Sequence, residues 1–106
     1  MTEPENVVVF VTTPEAEAQV LAEVLVREKK AACVNIVPRV RSTYWWQGEI
    51  ESDDESLLII KTSLSLLDDL IEAVKETHSY EVPEVIALPV VGGNEDYLDW
   101  IGRVLR

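Results

Sequence analysis

Along this chain the spacing of apolar residues switches between continuous and helical, and each switch marks an element. Val7-Val8-Val9-Phe10-Val11 is a continuous run of mostly branched side chains, as expected of a strand at the centre of a sheet. Thr13 is expected to cap the helix that follows, with Pro14 in its first turn and Glu15 and Glu17 complementing its dipole. Ala18, Leu21, Ala22 and Leu25 recur at helical spacing, and Lys29 and Lys30 close the segment. From Ala32 to Trp46 the chain reads as extended again. Pro38 lacks the donor that an interior ladder needs, so this second strand belongs at an edge. Gln47-Gly48 is a turn signal into a third strand, whose later part, Leu57-Leu58-Ile59-Ile60, is continuously apolar and therefore central.

Ser65 with Asp68 has the spacing of a capping box, and Leu67, Leu70, Ile71 and Val74 form the stripe of a second helix ending near His78. Val85 to Val91 is extended, and Pro89 demotes it to the other edge. Gly92-Gly93-Asn94 then leads into a third helix carrying Tyr97, Trp100, Ile101 and Val104 on one face. The order is β-α-β-β-α-β with an added C-terminal helix, strands one and three lying inside. That is the split βαβ, or ferredoxin-like, pattern: an α+β sandwich with an antiparallel sheet and a long hairpin joining strands two and three. Right-handed crossovers place the two long helices on one sheet face. The other face is left for the third helix or for neighbouring subunits. No repeat or linker divides the chain, so residues 1–106 are expected to form one domain.

Tyr44-Trp45-Trp46 adds a constraint. Strand neighbours point to opposite faces, so Tyr44 and Trp46 share one side of the hairpin while Trp45 takes the other. A two-stranded arm has a core of its own on one side at most, and the expected cover is another copy of the chain. Aromatics of this kind suit interface cores, which makes Tyr44, Trp45 and Trp46 the predicted subunit contacts.

Composition narrows the function classes. Twenty acidic against nine basic residues give a net charge of -11, a field that repels phosphate backbones and anionic membranes. No apolar run approaches the ~20 residues of a membrane span, and the start, Met1 to Asn6, lacks the blocks of a signal peptide, which favours the cytoplasm. Cys33 is the single cysteine, so neither an intrachain disulfide nor a multi-thiol zinc site can form within one subunit. No glycine-rich phosphate loop, nucleophile elbow or helical histidine pair is present, and the chain is not expected to be an enzyme.

Several segments resemble the CutA divalent-cation tolerance family, over about Val7 to Trp100. They are Ala31-Ala32-Cys33-Val34-Asn35-Ile36 with Pro38, Tyr44-x-Trp46-x-Gly48, Glu55 ahead of Leu57 to Thr62, His78-x-Tyr80-x-x-Pro83-Glu84, and Tyr97-Leu98-x-Trp100. The resemblance implies a ferredoxin-like subunit in a tight homotrimer, related to the PII signalling proteins, and a role in tolerance of copper and other divalent metals. It also implies a metal site in bacterial members, made of a thiol ending the first strand and two adjacent histidines. Here Val11 holds the thiol position and Thr77-His78 the histidine pair.

His78 is therefore the candidate ligand for a divalent ion such as Cu2+, together with Glu84 or with groups of a neighbouring chain. Its other reading is a helix C-terminal ring that bonds the last carbonyls. Cys33 reads as a small buried hydrophobe. Asp53-Asp54-Glu55 reads as a solvated bulge or turn. Lys61 shares a strand face with Leu57 and Ile59, and a buried ammonium needs a partner. One reading has Lys61 line an intersubunit cleft with Glu55, Tyr44 and His78, taking a small ligand as a PII-like signalling module would. The other has it reach solvent or a structural ion pair.

Overall fold

The computed structural model describes residues 5–106; Met1 to Pro4, most of the polar start, lie outside them. The elements run β1 (Asn6–Thr13), α1 (Glu15–Arg27), β2 (Cys33–Trp46), β3 (Glu49–Ser63), α2 (Leu67–Thr77), β4 (Val85–Pro89) and α3 (Glu95–Val104). A short 3-10 turn, Leu64–Leu66, leads into α2. All strand pairings are antiparallel and the order is β2-β3-β1-β4. The two strands that contain proline are the edges, as the missing donors require.

One face of the sheet makes the core. Val7, Val9 and Val11 of β1 and Leu58 and Ile60 of β3 pack with Leu21 and Leu25 of α1 and Leu70 and Val74 of α2. Each such side chain stabilises the fold by roughly 1.5–3 kcal/mol relative to its exposed state. On the opposite face α3 lies against β3, burying Ile101, and its Tyr97 hydroxyl meets Cys33. Burial first, and then that thiol, raise Tyr97 above the ordinary tyrosine range.

Two caps differ from expectation. Thr13 does not cap α1: the ladder extends to Thr13 opposite Ser56, and Pro14 takes the cap position with no side-chain bond. The Thr13 hydroxyl is left buried without a partner among the described residues. Before α2 the capping oxygen is that of Ser63, which accepts from the Ser65 N–H at 3.3 Å, rather than that of Ser65 paired with Asp68. The 3-10 turn intervenes, and α2 starts at Leu67. Asn94 does cap α3, accepting from the Asp96 N–H at 3.0 Å.

β1 pairs with β3 only as far as Ser56. Beyond that point residues 40–46 and 49–55 pair solely with each other, a two-stranded arm roughly 20 Å long. Gln47 and Gly48 close it with φ of 50° and 82°, the left-handed values of a tight hairpin turn whose twist matches the strands. At its base the register steps from Val37 opposite Leu57 to Val40 opposite Glu55, so Pro38 and Arg39 together face Ser56. That is a β-bulge, and the Ser56 hydroxyl donates to the Pro38 carbonyl across it at 2.6 Å.

Candidate functional site

Because strand side chains alternate, one extra residue in β2 changes which of them share a face. Cys33, Asn35 and Val37 before the bulge, and Val40, Ser42, Tyr44 and Trp46 after it, all stand on the side of Glu55 and Leu57. Thr12 of β1, opposite Leu57, stands there too. Facing this surface is the segment between α2 and β4, and between them lies an open cleft of about 620 Å³. Thr12, Ser42, Tyr44, Trp46, Glu55, Tyr80, Glu81, Val82 and Glu84 line it.

The segment is held from behind. Glu17 of α1 accepts from the Ser79 N–H at 3.1 Å and from its hydroxyl at 2.6 Å. His78 Nδ1 accepts from the Tyr80 N–H at 3.0 Å, which leaves Nε2 to donate to the Thr12 carbonyl at 2.7 Å. With Nδ1 accepting, the ring proton sits on Nε2. Its ring lies 4.6 Å from that of Tyr80, tilted by 51°.

Charge in the cleft is of one sign. Glu55 is only 5% exposed, and the Tyr80 hydroxyl bonds to it. Burial, then that bond and the Glu55 charge, push Tyr80 up to about 12. Tyr44 donates to Asp53, and that bond first, with burial next, pushes its phenol up to about 12. Asp54, on the other face of the arm, pairs with Arg39 at 2.6 Å and Arg41 at 3.8 Å, which hold its carboxyl below the usual range. Asp53-Asp54-Glu55 is therefore regular strand with three separately engaged carboxylates; the bulge lies across from it, in β2.

A sequence model of the family described as CutA1 divalent ion tolerance protein matches residues 7–104. The chain belongs to the CutA1 family. The divalent-cation tolerance protein CutA of Thermus thermophilus is 50% identical over 95 residues, covering 89% of this chain and 92% of that one. Its solved structure superposes with a TM-score of 0.88 at 49% identity, over 91% of this chain and 94% of that chain. The chloroplastic CutA 1 protein of rice is 56% identical over 102 residues, 95% of this chain but 58% of its own length. The chain thus spans less than two thirds of the plant relatives it matches. A rice CutA1 crystal structure gives a TM-score of 0.93 at 52% identity, over 100% of this chain and 98% of that one.

Against this CutA1 framework the candidate residues separate. Tyr44, Glu55 and Glu84 come together in the cleft. Lys61 does not: it lies six residues along β3 from Glu55, roughly 20 Å away, where its ammonium donates to Asn35 and approaches the Cys33 thiol at 4.0 Å. His78 stands behind Tyr80, not in the lining, and both its nitrogens are engaged by the backbone. A metal needs a free lone pair. Among the described residues no group of three or more His, Cys, Asp or Glu is placed to hold an ion, and Glu84 lines the cleft while His78 stands outside its lining. Trp45 points away from the cleft and is 72% exposed. Tyr80 and Thr12 were not singled out for this site by sequence reasoning. Tyr80 was visible inside the His78-x-Tyr80 motif, whereas Thr12 reaches the cleft only through sheet pairing.

Proposed function

We propose that this chain serves divalent-cation tolerance as a homotrimeric, ferredoxin-like scaffold of one domain per subunit, binding or signalling in the cytoplasm and not catalysing a reaction. The observation that carries this reading is the arm. Tyr44 and Trp46 on one side, and Trp45 and Ile50 on the other, are all exposed in a single subunit. Apolar surface on both sides of a two-stranded ribbon calls for further copies of the chain. The number three is what the family resemblance implies. No helix of the described residues is long and apolar enough to cross a membrane.

Sedimentation tests the assembly. The intact chain is expected to run as a trimer and Trp45→Glu as a monomer with unchanged circular dichroism, since Trp45 lies outside the core. A monomeric intact chain would end the reading.

Copper enters this reading without His78. Calorimetric titration with Cu2+ is expected to give the same uptake for the intact chain and for His78→Ala, and a lost binding step in the variant would restore the imidazole as a ligand. The second reading, a PII-like module that senses a small ligand, is favoured by the cleft: its volume falls in the range of small-molecule sites, ~300–1,000 Å³.

A further inference from the structure

We propose that the cleft at the base of the arm takes an organic ammonium ion, an alkylamine of small-metabolite size, with Glu55 as its counter-ion and the rings of Tyr44, Trp46 and Tyr80 around its body. This rests on the second reading above, that the cleft is a ligand site, and names the class of ligand. The cleft is open to solvent but more than an acidic surface: three aromatic rings line it. Its carboxylates are Glu55, Glu81 and Glu84, and no lysine, arginine or histidine is among the lining residues.

Glu55 supplies the second observation. It is 95% removed from solvent yet borders the cavity, and among the described residues it has no ion-pair partner. The Tyr80 hydroxyl is one donor against a carboxylate that can accept about four hydrogen bonds. An ionised carboxylate held this far from solvent is stabilised by a counter-charge, and a cationic ligand in the cleft would supply one. The register sharpens this, because Glu49, Glu51, Asp53 and Glu55 alternate onto the same face of the arm and focus negative potential toward its base.

An inorganic dication fits less well. It would need about six oxygen ligands converging at 2.0–2.6 Å, and among the described residues no cluster of three carboxylates converges on a point. Aromatic faces offer no such ligands, but they attract ammonium groups and cover an alkyl body. Tyr44 and Tyr80 stay protonated far above neutrality and keep neutral, quadrupolar faces.

The test is calorimetry on the assembled full chain at physiological ionic strength, with ethanolamine and putrescine as cationic probes, adenosine monophosphate and citrate as anionic probes, and Ca2+ as a dication. An amine should bind. Glu55→Gln should weaken it about tenfold, the usual effect of losing a charge-assisted contact, while Asp69→Asn on α2, an equal change in net charge, should leave it unchanged. Tyr80→Phe, which keeps the ring, guards against a folding defect in the Glu55 variant and should retain amine binding within about threefold. Anion binding in the cleft without amine binding would overturn the cation and leave the ligand site standing. Silence from every probe would overturn both. Amine binding unaffected by Glu55→Gln, or preference for Ca2+ over the amines, would also defeat the proposal.

Discussion

At the scale of single residues, the informative side chains are those whose hydrogen bonds are fully accounted for. His78 attracts notice as the only histidine, yet its two nitrogens join the Thr12 carbonyl to the Tyr80 amide and so brace one wall of the cleft. No residue pattern could show that, since the Thr12 carbonyl belongs to a strand 66 residues away in sequence. Tyr80 makes a titratable prediction. Its phenol is raised from the ordinary value near 10 to about 12, mainly by burial and by its bond to Glu55. A group raised on folding stabilises fully below its unfolded pKa and loses that contribution as pH climbs through the folded one. Native phenolate absorbance should therefore appear late, stability should decline between about pH 10 and about pH 12, and Tyr80→Phe should remove one late step from the spectrophotometric titration.

At the scale of elements, the apolar rhythm made the strands, helices and edge order legible, because burial on one face and missing proline donors are local facts. The caps of α1 and α2 were not legible. The ladder that includes Thr13 is decided by sheet pairing, and the 3-10 turn before Leu67 moves the cap from Ser65 to Ser63. Pro38 was read as an edge marker, which it is, but the bulge at Pro38-Arg39 depends on the register of the partner strand. The hairpin turn offers a clean measurement. Gly48 has φ +82° and open space where a Cβ would stand, so Gly48→Ala introduces backbone strain without a clash. It should lower stability in urea titration by about 1 kcal/mol, with the core spectroscopically unchanged.

At the scale of the whole molecule, a subunit that buries a core on one sheet face also extends an arm whose two strands pair with no other strand among the described residues. The molecule measures 43 × 30 × 22 Å, its length far exceeding its thickness. The candidate cleft sits where arm and body meet, which explains why only part of it was readable. Tyr44, Glu55 and Glu84 were visible as polar or aromatic residues in marked segments, whereas their convergence needs α1, β1, β2 and β3 in place at once. Lys61 was grouped with Glu55, Tyr44 and His78 because an ammonium on the strand face of Leu57 and Ile59 needs a partner, but six residues of extended chain separate it from Glu55.

The bulge has a consequence for lineages that gain or lose single residues. Removing Pro38 alone would leave Val37 opposite Leu57 and Val40 opposite Glu55, with Arg39 by itself across from Ser56, so Tyr44 and Trp46 would keep the face of Glu55. What would go is the bend and added twist that a doubled position gives its strand. A protein so altered should keep its stability within about 2 kcal/mol, yet its hairpin would leave the body at another angle and the native oligomer should be lost on a sizing column. One codon at this spot thus sets where the arm points.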